Sequence, residues 1–153
     1  MTLGEALTRR SDLQTRVGEL RNRLTQSARV QEGEKPHEDP SALLAEFDAV
    51  ADELERLIGR INRANLTVRL ADGRTLTEAL ARRDSLTLRH QTLRALAEAA
   101  AEKQDRYSRS EIKILSTVAV AEIRQRADDL ARERRELDVA IQEANWANEL
   151  AED

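Results

Sequence analysis

The chain has 153 residues, with 25 Lys and Arg against 29 Asp and Glu, a net charge of −4 and 35% charged residues. Five glycines, two prolines and three aromatic residues argue against an all-β fold, which needs aromatic and β-branched strands and many turn residues. The absence of cysteine excludes disulfides, thiolate metal sites and cysteine nucleophiles, and no run approaches the ~20 apolar residues of a transmembrane helix.

The first element is a helix over 2–31. Its stripe is Leu3, Ala6, Arg10, Leu13, Val17, Leu20 and Leu24, the alternating three- and four-residue spacing of packed helices. The polar run 32–38 is a loop, and Asp39 before Pro40 reads as an N-cap with proline at the first helical position. A second helix follows over 40–66 on Leu43, Phe47, Val50, Leu54, Leu57, Ile61 and Ala64, with Leu44, Ala51 and Ile58 as an adjoining row. Three apolar residues per heptad is the width of a bundle helix. Residues 67–74 are a tight connection with Asp72-Gly73 as its turn. Thr75-Leu76-Thr77-Glu78 is a capping box that opens a third helix over 75–104. Its stripe is Leu76, Ala79, Arg83, Leu86, His90, Leu93, Ala97 and Ala100. A second long connection, 105–117, leads to a fourth helix over 118–150 on Val120, Ile123, Ala127, Leu130, Arg134, Leu137, Ile141 and Ala144.

The chain repeats itself. Residues 2–21 and 75–94, offset by 73, are identical at 11 of 20 positions. Periodicity accounts for the apolar matches but not for the matched Thr, Glu and Arg. At an offset of 80, Leu57, Ile61, Ala64 and Asn65 match Leu137, Ile141, Ala144 and Asn145. The chain therefore reads as one helical domain, 1–153, built from two copies of a helical hairpin (2–66 and 75–150) joined by 67–74. Charge supports the packing order. Residues 1–31 carry six cations and three anions, 32–66 four and nine, 67–104 seven and five, and 114–153 five and ten. Basic helices alternate with acidic ones, as sequence neighbours in an up-down bundle would. The expected fold is all-α, a long antiparallel four-helix bundle of two pseudo-repeated hairpins.

Arg10 and Arg83 occupy equivalent positions inside the stripes of the two basic helices. Their functional reading is a pair of internal guanidiniums gripping an anion. The structural reading, which we favour, is stripe-edge arginines with packed stems and heads paired to a carboxylate or amide of the neighbouring helix. Glu55, Asn62 and Asn65 are the candidate partners of Arg10, and Glu136, Asp138 and Asn145 those of Arg83. His90 reads as a packed histidine. Glu34, His37 and Asp39 offer imidazole and carboxylate ligands, but on a loop beside a proline rather than on core helices. That gives a weak metal candidate only, and no di-iron pattern. Arg106, Tyr107 and Arg109 form the most distinctive polar segment, with chemistry suited to phosphate contacts. In an acidic chain with one aromatic available for stacking, the expectation is an ordered loop and no nucleic-acid partner. Leu88, Leu96 and Ala140 lie outside the stripe that a single bundle needs, which predicts a homo-oligomer. No nucleophile–base pair, glycine-rich phosphate loop or cofactor motif is present.

Three runs also carry a resemblance: Val30-Gln31-Glu32-Gly33-Glu34; 72–76 with Ala79-Leu80-Ala81-Arg82-Arg83-Asp84; and 105–113 with Ser116-Thr117-Val118. Together they resemble a set of small bacterial helical proteins labelled septicolysin, over nearly the whole chain. The resemblance implies a mostly helical protein of unknown biochemical role, and the label implies membrane activity as an alternative. Met1-Thr2-Leu3-Gly4-Glu5 lacks the basic-then-apolar pattern of a signal peptide. The resulting expectation is a cytoplasmic, self-associating, non-enzymatic interaction or scaffold protein with no cofactor and no membrane partner. A metal- or anion-binding bundle is the further alternative.

Overall fold

The computed structural model describes residues 1–102 and 112–151. They form four helices: α1 (Leu3–Gln26), α2 (Pro40–Thr67), α3 (Leu76–Ala100) and α4 (Val120–Ala147). The fold is all-α. Among the described residues, extended pairing is limited to isolated bridges such as Thr2 with Glu149. No described helix is long and apolar enough to cross a membrane.

Local chemistry sets the helix starts. Thr2 and Thr75 cap α1 and α3 in the same way. The Thr2 hydroxyl accepts the Glu5 N–H at 3.1 Å while the Glu5 carboxylate accepts the Thr2 N–H at 2.7 Å. The corresponding distances for Thr75 and Glu78 are 3.2 and 2.7 Å. Each box satisfies two donors that a helix start leaves without intrahelical partners. Asp39 caps α2, its carboxylate accepting the Ser41 N–H at 3.0 Å, with Pro40 as the first helical residue. Between α2 and α3 the chain turns at Gly73 (φ 87°), a left-handed geometry that glycine adopts without strain. The turn is closed by Leu70 N–H to Arg74 O (2.8 Å) and by Asp72 accepting the Arg74 N–H (3.0 Å).

α1, α3 and α4 are shorter than their expected spans. α1 ends at Gln26, not Gln31: Ser27, buried at the next stripe position after Leu24, is its C-cap. The Ser27 N–H closes the last turn on Arg23 O and Leu24 O. α3 ends at Ala100, where Ala101 caps it on Ala97 O. α4 begins at Val120, after a turn in which the Ser116 hydroxyl and the Val118 backbone bond to each other. It ends at Ala147, where the Asn148 side chain and N–H both donate to Ala144 O at 2.8 and 3.2 Å. α2 matches its expected span to within one residue.

The chain divides into two compact units. The first is Met1–Arg69 with the segment from Glu143, and the second is Leu70–Gln142. In the first, α1 and α2 pack antiparallel over buried Leu3, Ala6, Leu13, Leu20, Leu43, Leu57 and Ile61. The C-terminal segment adds Ala144, Asn145 and Leu150. It is pinned to the chain start by Leu3 N–H to Asn148 O (2.9 Å) and Leu150 N–H to Met1 O (2.8 Å). Gly4 lies against the Trp146 indole so closely that a Cβ there would fall 2.7 Å from the ring. In the second unit, α3 and α4 bury Leu76, Ala79, Leu86, Ala97, Ala127, Leu137 and Ile141. Each fully buried leucine or isoleucine contributes about 1.5–3 kcal/mol. Arg10, Val17, Phe47, Val50 and Leu54 are only half-buried, and Leu44, expected beside the stripe, is exposed.

Candidate interaction surface

Alternating helix charge becomes a ladder of ion pairs in the first unit. Arg9 bonds Glu53 at 2.7 Å, Arg16 bonds Glu46, and Arg23 bonds Glu38. Each rung is one heptad along α1 from the last, so the three lie on one face and tie α1 to α2 or its N-terminal approach. The bond that Arg23 donates holds the Glu38 carboxyl below the usual carboxylate range, and donating to Glu46 raises the pKa of the Arg16 guanidinium. These side chains are one-third to one-half exposed, so solvent screens the pairs and the ladder fixes pairing and register more than it adds stability.

The second unit keeps one rung. Arg82 bonds Glu133 at 2.6 Å, and these are the repeat equivalents of Arg9 and Glu53 at offsets of 73 and 80. The next rung is lost. Arg89 stands for Arg16, but Arg126 stands for Glu46, so two arginines take the places of an arginine and its carboxylate. The third rung becomes Leu96 and Val118. Where the ladder fails, the α3–α4 surface opens into a groove of about 670 Å³. Leu88, Leu93 and Leu130 line it with Arg89, Arg126 and Glu136. Leu88 is 66% exposed. Among the described residues Arg89 bonds only Ser85, at 3.2 Å, and neither Arg126 nor Glu136 has an ion-pair partner.

A family described only as of unknown function, DUF6847, matches residues 10–150. The chain belongs to DUF6847. No curated protein matches it. A crystal structure of a functionally unknown conserved protein from Corynebacterium diphtheriae is similar at 43% identity, with a TM-score of 0.89 and 99% of each chain covered. The span matched to DUF6847 contains every residue of the ladder from Arg16 on and the whole groove.

The residues singled out in this DUF6847 sequence fare differently. Arg83 reaches Asp138 at 3.7 Å and Asp84 at 3.6 Å, with its side chain 33% exposed. Asp138 was among its expected partners. Arg10 has none of its expected partners: its Nε is buried without a hydrogen bond. The repeat explains this, because Ile58 stands where the second copy has Asp138. Glu34, His37 and Asp39 are exposed, and Asp39 is committed to capping α2. Among the described residues no group of three or more acidic or histidine side chains is placed to hold a metal ion, so these residues are not brought together as a site. His90 is half-buried, at a shallow groove with Arg94, Glu98, Arg124 and Asp128. Arg106, Tyr107 and Arg109 lie outside the described residues. Leu88 and Leu96 are exposed as expected, whereas Ala140 is half-buried.

Glu136, expected as a candidate partner of Arg83, is not the carboxylate that Arg83 reaches. Arg126 was not expected from the helix patterns; its signal is the repeat taken over pairs of positions, in which Arg89 and Arg126 stand where Arg16 and Glu46 pair.

Proposed function

We propose that the chain is a non-enzymatic helical interaction protein that self-associates through the α3–α4 face of its second unit. The observation that carries this reading is Leu88, 66% exposed on the rim of the groove where the ion-pair ladder fails. A leucine left in water beside a groove lined by Leu93 and Leu130 is apolar surface that a second molecule can bury. Exposed Leu96 and Val139 extend the apolar character of α3 and α4. The resemblance to the septicolysin-labelled proteins is retained as a proposed kinship, without membrane activity.

The test is light scattering at micromolar concentration on the intact chain and on a Leu88→Glu, Leu96→Glu variant. The wild type is expected at a multiple of 17.3 kDa and the variant at the monomer mass. A wild type at 17.3 kDa overturns the proposal.

A second reading, anion binding, is favoured by one observation, the buried and unbonded Arg10 Nε. It is separated from the first by the effect of removing that guanidinium, developed in the Discussion.

A further inference from the structure

The two hairpin copies carry opposite charge on corresponding surfaces. At the middle rung of the first copy one guanidinium, Arg16, meets two carboxylates, Glu46 and Glu19. At offsets of 80 and 73 the carboxylates become Arg126 and Thr92 while Arg89 stands for Arg16, so two guanidiniums remain and no carboxylate. The Arg82–Glu133 bond fixes the register, and one heptad on from it positions 89 and 126 stand opposite each other across the antiparallel helices. Both line the groove, and among the described residues neither has an ion-pair partner. Asp129, one turn from Arg126, is already bonded by Arg132 at 3.1 Å and Gln125 at 3.2 Å. Glu136, the other unpaired charge of the groove, is ten residues from Arg126 along α4, about 15 Å.

The outer face of α2 is the converse. Leu44, Asp48, Asp52 and Glu55 are exposed and spaced by four, four and three residues, so they form one stripe. Among the described residues none of these carboxylates has an ion-pair partner, and neither does the adjoining Arg56. At an offset of 80 the stripe on α4 reads Arg124, Asp128, Arg132 and Arg135. The same face is acidic in the first copy and basic in the second.

We infer that the groove receives α2 of a second copy, with Asp48 and Asp52 set against Arg89 and Arg126. This rests on the self-association proposed above and names the surface that the second molecule supplies. Charge also sets the direction. With Asp48 at the level of the two arginines and α2 parallel to the α4 it meets, Arg56 comes within about 3 Å of the level of Glu136. The groove's three unpaired charges are then all met. The reverse direction would set Glu38 and Asp39 beside Glu136, carboxylate against carboxylate. In the parallel arrangement Leu44, one turn before Asp48, comes to the level of Leu93, and Leu88 is covered beside Arg89. The contact is heterologous, joining two different surfaces of the same chain.

The test is sedimentation equilibrium on two charge-reversed full-length chains. The groove variant carries Arg89→Glu and Arg126→Glu, and the α2 variant carries Asp48→Arg and Asp52→Arg. Each alone is expected to associate at least about tenfold more weakly than wild type, because like charges then meet. In an equal mixture the α2 variant still offers an intact groove and the groove variant an intact α2. The two are expected to bind each other at least about tenfold more tightly than either binds itself, with a mass of twice 17.3 kDa and no higher. All four positions are exposed, and association on mixing itself demonstrates folded chains. Should either variant fail to fold by circular dichroism, the neutral pairs Arg89→Gln with Arg126→Gln and Asp48→Asn with Asp52→Asn replace them. Each neutral pair is expected to weaken association, and all four changes together to weaken it no further than the stronger pair does; additive losses would overturn the inference.

A monomeric wild type overturns the self-association reading, and this inference with it. A self-associating wild type with either reversed variant associating as tightly overturns this inference alone. So does a mixture that associates no more tightly than its components.

Discussion

Replacing Arg10 by methionine should stabilise the protein, whereas the same change at its repeat equivalent Arg83 should weaken it. Arg10 sits two turns inside α1, half-buried, with its Nε sealed from water and without a hydrogen bond. A buried donor left unsatisfied costs about 1–3 kcal/mol. Methionine keeps an unbranched apolar stem and removes the donor. The expected gain from Arg10→Met is about 1 kcal/mol, part of the recovered penalty being offset by lost guanidinium hydration and stem contacts. Arg83 has carboxylates at 3.6 and 3.7 Å and a one-third exposed side chain. Arg83→Met should therefore cost under about 1 kcal/mol, the range of a solvent-screened ion pair. Urea denaturation of the two variants and the wild type, at one pH and protein concentration, reads both effects as midpoint shifts of opposite sign. A loss of 2 kcal/mol or more in Arg10→Met would refute the reasoning. It would mean that the guanidinium has a partner, which is what the anion-binding reading requires.

Two further outcomes follow from the caps and from the helix start. Gly4→Ala places a Cβ 2.7–2.9 Å from three Trp146 ring carbons, so the half-exposed indole must swing outward. Trp146 is the sole tryptophan, and a red shift in its emission with a loss of about 1–2 kcal/mol is expected; unchanged emission would contradict the packing. Acid should destabilise the fold. The Thr2 N–H holds the Glu5 carboxyl below its ordinary range, as the Arg23 and Arg74 guanidiniums do for Glu38 and Asp72. A carboxyl with a lower pKa folded than unfolded stabilises above its unfolded value, about 4, and that contribution is lost as pH falls through the folded value. Urea midpoints that hold from pH 7 to about 5 and decline below about 4 are expected, and a midpoint rising on acidification would reverse the sign.

What was legible in the sequence was local. Thr2 with Glu5, Thr75 with Glu78, Asp39 with Pro40, and the Asp72-Gly73 turn each act within four residues, so spacing alone announces them. Helix ends were less legible, because a stripe says where a face continues and not where the backbone leaves it. Ser27 and Ala101 close α1 and α3 through carbonyls rather than through a residue type that punctuates. Interhelix partners were the least legible. The pairing of Arg16 with Glu46 or of Arg9 with Glu53 depends on the register that the 27–39 connection imposes, which no single-helix pattern contains. Arg10 shows the limit most plainly: a partner was expected from burial, but the position that supplies Asp138 to Arg83 is Ile58 in the first copy. The groove is a difference between two copies, visible only when Arg89 is compared with Arg16 and Arg126 with Glu46 together.

The central claim is that the α3–α4 face is covered by another copy, and the absence of native cysteine allows it to be probed at one atom. Leu88→Cys and Leu66→Cys introduce a unique thiol at two positions whose leucines are 66% and 63% exposed, one on the groove rim and one at the end of α2. The measurement is the rate of maleimide labelling of each variant as protein concentration is raised through the micromolar range. The account predicts that labelling at position 88 slows with concentration while labelling at position 66 does not change. Equal, concentration-independent rates at the two positions would contradict it.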